Sequence, residues 1–208
     1  MDTGKPVIYI VDDDKSVCRA LKLLLKAHGY LVETFTCAAD FMAFKHSKTP
    51  SCLILDVQLP GISGLDLQKA MAVRELTIPI VFITGHGDIP MSVKSMKAGA
   101  VDFLPKPFSK KKLLEAVNVA ISKNKVQNKE KAEVAQIKRR VRTLTPRELE
   151  VFRFVAKGML SKQIAYKRGT SLQTIKVHRG RVMRKMQAGT VTELIRFAQI
   201  AGITSSKV

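Results

Sequence analysis

Four apolar runs end on polar residues with chemical potential, and this placement constrains the fold more than anything else in the chain. Asp12 and Asp13 follow Val7-Ile8-Tyr9-Ile10-Val11, and Asp56 follows Leu53-Ile54-Leu55. Thr84 follows Ile80-Val81-Phe82-Ile83, and Lys106 follows Phe103-Leu104-Pro105. Short β-rich runs separated by stretches of helical spacing predict a parallel sheet with crossover helices. The strand candidates are 7–11, 31–35, 52–55, 80–83 and 101–104. Helical spacing occurs in Val17-Cys18-Ala20-Leu21-Leu24-Leu25, in Leu65-Leu67-Ala70-Met71, in Met91-Val93-Met96-Ala98, and from about Lys111 to Ile121. Five β-α units in about 120 residues fit one doubly wound α/β domain.

In such a sheet the carboxyl ends of the strands line one crevice. Three carboxylates, a hydroxyl and an ammonium therefore converge, with Asp56 in the middle. Mg²⁺ takes oxygen ligands and phosphate oxygens. Asp12 or Asp13, with Asp56, supplies two carboxylates, and a backbone carbonyl just after Asp56 can add a third ligand. A carboxylate can attack a phosphoryl group to give an aspartyl phosphate. Lys106 can then contact the phosphoryl oxygens as a mobile point charge, and the Thr84 hydroxyl can donate to another. Transfer of this kind rests on positioning and charge stabilisation. Asp14 reads instead as an acidic group at a helix N-terminus. Lys106 lies between Pro105 and Pro107, which holds its backbone, and a cis bond is considered at Pro105–Lys106. His86, between Gly85 and Gly87, reads as a loop residue of a switch rather than a base or ligand. His28 and His46 read as surface residues.

Charge divides the chain. Residues 1–122 hold 15 Lys+Arg against 12 Asp+Glu, whereas residues 123–208 hold 21 against 5. Nearly all of the net +19 thus lies in the back part, which points to a polyanion partner. Cys18, Cys37 and Cys52 form no Cys-x-x-Cys pair and read as reduced thiols. No apolar span approaches the roughly 20 residues of a membrane helix, and the N-terminal residues lack a signal-peptide pattern. A cytoplasmic location without membrane contact is expected.

Residues 123–143 are charged and poor in large apolar residues, and are assigned as a helical linker between domain 1–122 and domain 144–208. From Leu144 the pattern is all helical. Thr145-Pro146-Arg147-Glu148 starts a helix that stops at Gly158. Ser161 opens a second, which ends at Gly169; Ser171 caps a third; Thr192 opens a fourth. Residues 171–186 have an apolar stripe of Leu172, Ile175, Val182, Met183 and Met186. The outer side carries Gln173, Val177, Gly180, Arg181 and Arg184, with Lys176 and Lys185 on its flanks. Such a helix fits a major groove, where Val177 can meet a thymine methyl. Lys162 on the preceding helix would contact phosphates. Arg179 is expected to pair with Glu148 or Glu150.

The segments Val-Asp-Asp-Asp, Leu-Asp-Val-Gln-Leu-Pro-Gly-Ile-Ser-Gly, Ile-Thr-Gly-His-Gly-Asp and Phe-Leu-Pro-Lys-Pro-Phe resemble the receiver domain of two-component response regulators. The stretches Gly85–Asp88 and Met96–Phe103 resemble its FixJ branch. Leu144-Thr-Pro-Arg-Glu-Leu-Glu-Val, Lys162-Gln-Ile-Ala and Thr174-Ile-Lys-Val-His-Arg resemble the LuxR-type helix-turn-helix. The resemblance implies a flavodoxin-like, five-stranded α/β doubly wound receiver followed by a small all-α helix-turn-helix domain. It implies Asp56 as phosphoacceptor, Asp12, Asp13 and Asp56 as Mg²⁺ ligands, Thr84 and Lys106 as phosphate-sensing residues, and Phe103 as a switch. It also implies DNA contacts from Lys162, Gln173, Thr174, Lys176, Val177, Arg181 and Arg184, and a fourth helix that dimerises on DNA. Arg168 and Thr170 depart from the family, which has apolar residues there.

The expected function is a response regulator. A sensor histidine kinase phosphorylates Asp56, a homodimer forms, and an imperfect palindrome in double-stranded DNA is bound to control transcription. Self-dephosphorylation is the only other chemistry expected, so the chain is not read as an enzyme and no organic cofactor is expected. Two rivals are a constitutive DNA binder whose receiver only dimerises, and a Mg²⁺-dependent aspartyl-phosphate phosphatase of the haloacid-dehalogenase class. That class has a second Asp two residues after its nucleophile, where this chain has Gln58.

Overall fold

A computed structural model describes residues 4–85 and 89–203. The chain divides into two compact units, Met1–Asn128 and Lys129–Val208. His86 lies outside the described residues.

The first unit is a parallel sheet of β1 (Val7–Val11), β2 (Leu31–Phe35), β3 (Ser51–Asp56), β4 (Ile80–Thr84) and β5 (Asp102–Pro105), in the order β2-β1-β3-β4-β5. Parallel neighbours need crossovers, here the helices α1 (Lys15–Ala27), α2 (Ala38–Ala43), α3 (Gly64–Val73) and α4 (Ile89–Lys97). Helix α2, only six residues long, is the one crossover whose spacing was not picked out from the sequence. Helix α5 (Lys110–Arg142) follows β5.

Because helices cover both faces, β1, β3 and β4 are buried along their whole length. Their side chains still alternate. Ile8, Ile10, Ile54 and Ile83 pack with Leu21 and Leu25 of α1 and Leu113 and Val117 of α5. Tyr9, Leu53, Leu55 and Phe82 pack on the other face with Phe41 of α2 and Leu67 and Met71 of α3. Each such burial contributes about 1.5–3 kcal/mol before entropy is counted. Pro105 lacks a donor for the ladder and sits on the edge strand β5, where none is needed.

His46 is not a surface residue. Its ring lies 4.6 Å from that of Phe41 and 5.1 Å from that of Tyr9, among the aromatic side chains of β1 and α2. Desolvation there lowers its pKa from the ordinary value. Phe41 and Phe44 come from α2 and its C-cap just before His46, while Tyr9 comes from the distant strand β1, and it is this strand that closes the enclosure.

The charged segment 123–143 lies within α5 up to Arg142. Its early residues belong to the first unit, where buried Asn124 accepts from Ser51 N at 2.9 Å and donates to Thr77 O at 3.2 Å. Its later residues belong to the second unit. There Ile137 is 1% exposed in the core, and Arg140 donates to Met186 O at 3.1 Å.

The rest of the second unit is α6 (Pro146–Ala156), α7 (Ser161–Arg168), α8 (Leu172–Met186) and α9 (Val191–Ile200). Thr145 and Glu148 form a capping box at the start of α6. Ser171 caps α8. The cap of α9 is Thr190, not Thr192: its hydroxyl accepts from Glu193 N at 3.1 Å, because Thr190 lies three residues before the first-turn glutamate.

Candidate phosphoacceptor site and nucleic-acid interface

The last residues of two strands and the residues just past two others meet at one edge of the sheet. Asp12, just past β1, is fully buried, and Asp13 beside it is exposed. Asp56 closes β3 and is 6% exposed; Thr84 closes β4 and is fully buried. Carboxylate oxygens of Asp12, Asp13 and Asp56 all lie within 4.8 Å of one another. Lys106, just past β5, donates to Asp12 Oδ2 and to Asp56 Oδ2, each at 2.8 Å. Its backbone N donates to Thr84 O at 2.7 Å, which fixes where that side chain starts. The cis bond is Lys106–Pro107, not Pro105–Lys106; only a bond preceding proline has a small cis penalty. The Asp14 carboxylate caps α1, accepting from Ser16 N at 2.7 Å, and only its backbone N joins the cluster, donating to Asp12 Oδ1 at 2.9 Å.

The oxygens of Asp56 are divided. Oδ1 accepts from Gln58 N at 3.0 Å, and Oδ2 meets Lys106. Its backbone is held by a glycine: a Cβ on Gly64 would lie 2.3 Å from Asp56 O. The start of α3 can therefore close onto the end of β3 only with glycine there. Gly64 was not singled out from the sequence as a site residue; Leu-Pro-Gly-Ile-Ser-Gly entered only as part of the resemblance.

The electrostatics are unbalanced. Burial raises the Asp12 carboxyl above its ordinary value, against hydrogen bonds from Lys106 and Asp14 N that lower it, and the Asp56 charge raises it further. Burial acts against the charge of Lys106, yet its bonds to Asp12 and Asp56 raise its pKa. Formally, three carboxylates against one ammonium leave an excess of two negative charges, which suits a divalent cation with oxygen ligands. Phe103 of β5 is partly buried, 6.5 Å from Phe82 by ring centroids, on the face opposite α1 and α5.

In the second unit, Gln173, Thr174, Lys176, Val177, Arg181 and Arg184 are all exposed on α8, and Lys162 is exposed on α7. Val177 is 44% exposed, and a Cβ on Gly180 would meet nothing within 4 Å. This leaves an open face of mixed cationic and apolar character. Lys185, on the flank of this face, donates to Glu148 Oε2 at 2.6 Å and to Thr143 O at 3.0 Å; the expectation for Arg179 fails. Arg179 donates to Ser161 Oγ at 3.2 Å rather than to a glutamate. Lys185 occupies Glu148, while Arg168 and Arg147 occupy Glu150 at 2.9 and 3.4 Å. Sequence reasoning passed over Tyr166, which stands 91% exposed on α7 four residues after Lys162. A large exposed aromatic one helical turn from a lysine was the available signal.

The fold and both sites define a class. The receiver-domain family, "Response regulator receiver domain", matches residues 8–118, and "Bacterial regulatory proteins, luxR family" matches residues 142–198. The chain belongs to the two-component response regulators that join a receiver to a LuxR-type helix-turn-helix, in the FixJ/NarL family. Nodulation protein W of Bradyrhizobium diazoefficiens is 43% identical, with 97% of this chain and 89% of that protein aligned. Transcriptional regulatory protein FixJ of the same species is 39% identical over 97% of this chain and 98% of its own length. The solved structure of response regulator StyR is 40% identical and superposes with a TM-score of 0.83, covering 94% of this chain and 99% of that one. FixJ is, by its name, a regulator of transcription. Among the described residues, no helix is long and apolar enough to cross a membrane.

Proposed function

We propose that this protein is switched by phosphorylation of Asp56 and controls transcription as a DNA-bound dimer. The observation that carries this reading is the bridge from Lys106 to both Asp12 and Asp56, at 2.8 Å each, beside the exposed Asp13. An Asp56 oxygen forms a bond to the phosphorus of a phosphohistidine on a sensor kinase. The phosphorus–nitrogen bond breaks, and the imidazole leaves with the electron pair. Asp12, Asp13 and Asp56 are the residues that would hold Mg²⁺, which when bound neutralises charge on the phosphoryl oxygens. Lys106 then exchanges its contact with Asp56 for one with a phosphoryl oxygen, and Thr84 donates its hydroxyl to another. Thr84 and Phe103 lie on the adjacent strands β4 and β5, so movement of one opens or closes space for the other. The altered surface pairs two copies, and α8 of each copy enters a major groove of an imperfect palindrome. Loss of the phosphoryl group to water resets the switch. All of this takes place in the cytoplasm.

The test is sizing and operator binding, at one stated salt concentration, before and after treatment with a phosphodonor and Mg²⁺. Wild type is expected to become dimeric and to bind at least tenfold more tightly, about 1.4 kcal/mol; Asp56→Asn is expected to do neither. Equal binding in all four samples would favour a constitutive DNA binder.

A further inference from the structure

A cavity of about 340 Å³ lies in the second unit where α6, the end of α7 and the first half of α8 meet. Its wall combines the apolar side chains of Val151 and Ile175 with a set of charged and polar groups. Arg147, Glu150, Arg168, Thr170, Thr174 and His178 line it. Arg168 takes one oxygen of Glu150 at 2.9 Å, and Arg147 takes the other at 3.4 Å. Two guanidiniums against one carboxylate leave a single positive charge. Their side chains remain 34% and 69% exposed, so each keeps donors facing solvent. His178 Nδ1 is buried with no hydrogen-bond partner among the described residues. The cavity also adjoins the N-terminal turn of α8, where the helix dipole favours an anion.

We infer that this cavity is a cradle for one backbone phosphate of the DNA duplex, held by Arg147, Arg168 and His178. The inference rests on the proposed DNA binding of α8 and adds a contact to it. Thr174, His178 and Arg181 follow at spacings of four and three, so they share one edge of α8. That edge borders the exposed face of Gln173, Val177 and Arg184. A helix whose face enters a major groove turns its edges toward the phosphate walls. The charge also fits, because a phosphodiester carries one negative charge and the cavity one excess positive charge. A free phosphate, at about −1.5 to −2, fits less well. Arg168 is thus more than a tie between α7 and α6.

The experiment measures affinity of the full chain for a duplex across a salt series, with Arg168→Leu and Thr170→Ile as variants. Leu removes the charge, and Ile fills the cavity while leaving both arginines in place. Each phosphate contact contributes about 0.9 to the slope of log affinity against log salt. Both variants are expected to lower the slope by about one unit, with helicity by circular dichroism unchanged. If wild type binds no duplex even at low salt, the DNA reading itself fails. If wild type binds and Arg168→Leu keeps its slope, the cradle is wrong and the arginine is only a tie. A slope lost in Arg168→Leu but kept in Thr170→Ile also overturns it, since the contact then lies outside the cavity. Should Arg168→Leu not fold, Thr170→Ile decides alone. Saturable binding of inorganic phosphate to wild type, absent in Arg168→Leu, would overturn the duplex as source.

Discussion

Asp12 and Glu148 are both buried carboxylates facing a lysine, at 2.8 Å from Lys106 and 2.6 Å from Lys185. Their environments act in opposite directions. Burial and the neighbouring Asp56 hold the Asp12 carboxyl above its ordinary range. The Lys185 ammonium, with help from the Thr145 backbone N–H and hydroxyl, holds Glu148 below its own. Glu148 closes the capping box of α6 and ties α8 to it, so each of its partners is part of the fold. Asp12 shares a single ammonium with a second carboxylate and has Asp13 beside it. A satisfied buried carboxylate builds structure, and an over-crowded one marks a place that gains from another cation.

Substitutions can break this contrast. The largest effect is expected for Glu148→Gln, which leaves Lys185 without a charged partner, though still bonded to Thr143 O, and weakens the cap. A loss of about 2–3 kcal/mol is expected, below the full value for a buried pair because Lys185 is about one-third exposed. Denaturant titration reads it, and unchanged stability would remove Glu148 from the structural class. Gly64→Ala follows, at about 1–3 kcal/mol, because the new Cβ must displace the Asp56 carbonyl. Phosphorylation should slow in the same variant; a normal rate would show that the Asp56 backbone is not held by that contact. Asp12→Asn should stabilise the first unit by up to about 1 kcal/mol, since it relieves like-charge crowding. The same change should weaken Mg²⁺ affinity, and a destabilised protein would reverse the reading.

The smallest effect is the pH dependence. Glu148 has a depressed folded value, so its contribution is complete above its ordinary 4.5 and is lost as pH falls through the lower folded value. Asp12 has a raised folded value, so its ionisation is a cost that appears as pH rises from its ordinary 3.8 through the higher folded value. Acid should therefore weaken the second unit while relieving the first. Hydrogen exchange followed from pH 6 downward separates the two, and equal loss in both units would contradict the assignment.

The receiver site was legible in the sequence because strand ends are set by local runs, and the topology of a doubly wound sheet brings those ends together. Lys106 reaching Asp12, 94 residues away, needed only the strand order. Partner choice among long side chains was not legible in the same way. Arg179 lost Glu148 to Lys185 and Glu150 to Arg168, a competition settled by packing rather than spacing. Gly64 was passed over because its role depends on the Asp56 carbonyl lying where a Cβ would have to go, not on any turn signal. His46 was misplaced because its enclosure is completed by Tyr9 of β1, although Phe41 and Phe44 stand close to it in the chain.

The central claim is that the crowded carboxylate cluster exists to receive a phosphoryl group on Asp56. Intact-protein mass spectrometry after incubation with acetyl phosphate and Mg²⁺ tests it most directly. Wild type should gain one phosphoryl group that maps to Asp56 and disappears in Asp56→Asn or when the metal is chelated. A phosphoryl group that persists in Asp56→Asn, or none on wild type, would contradict the account.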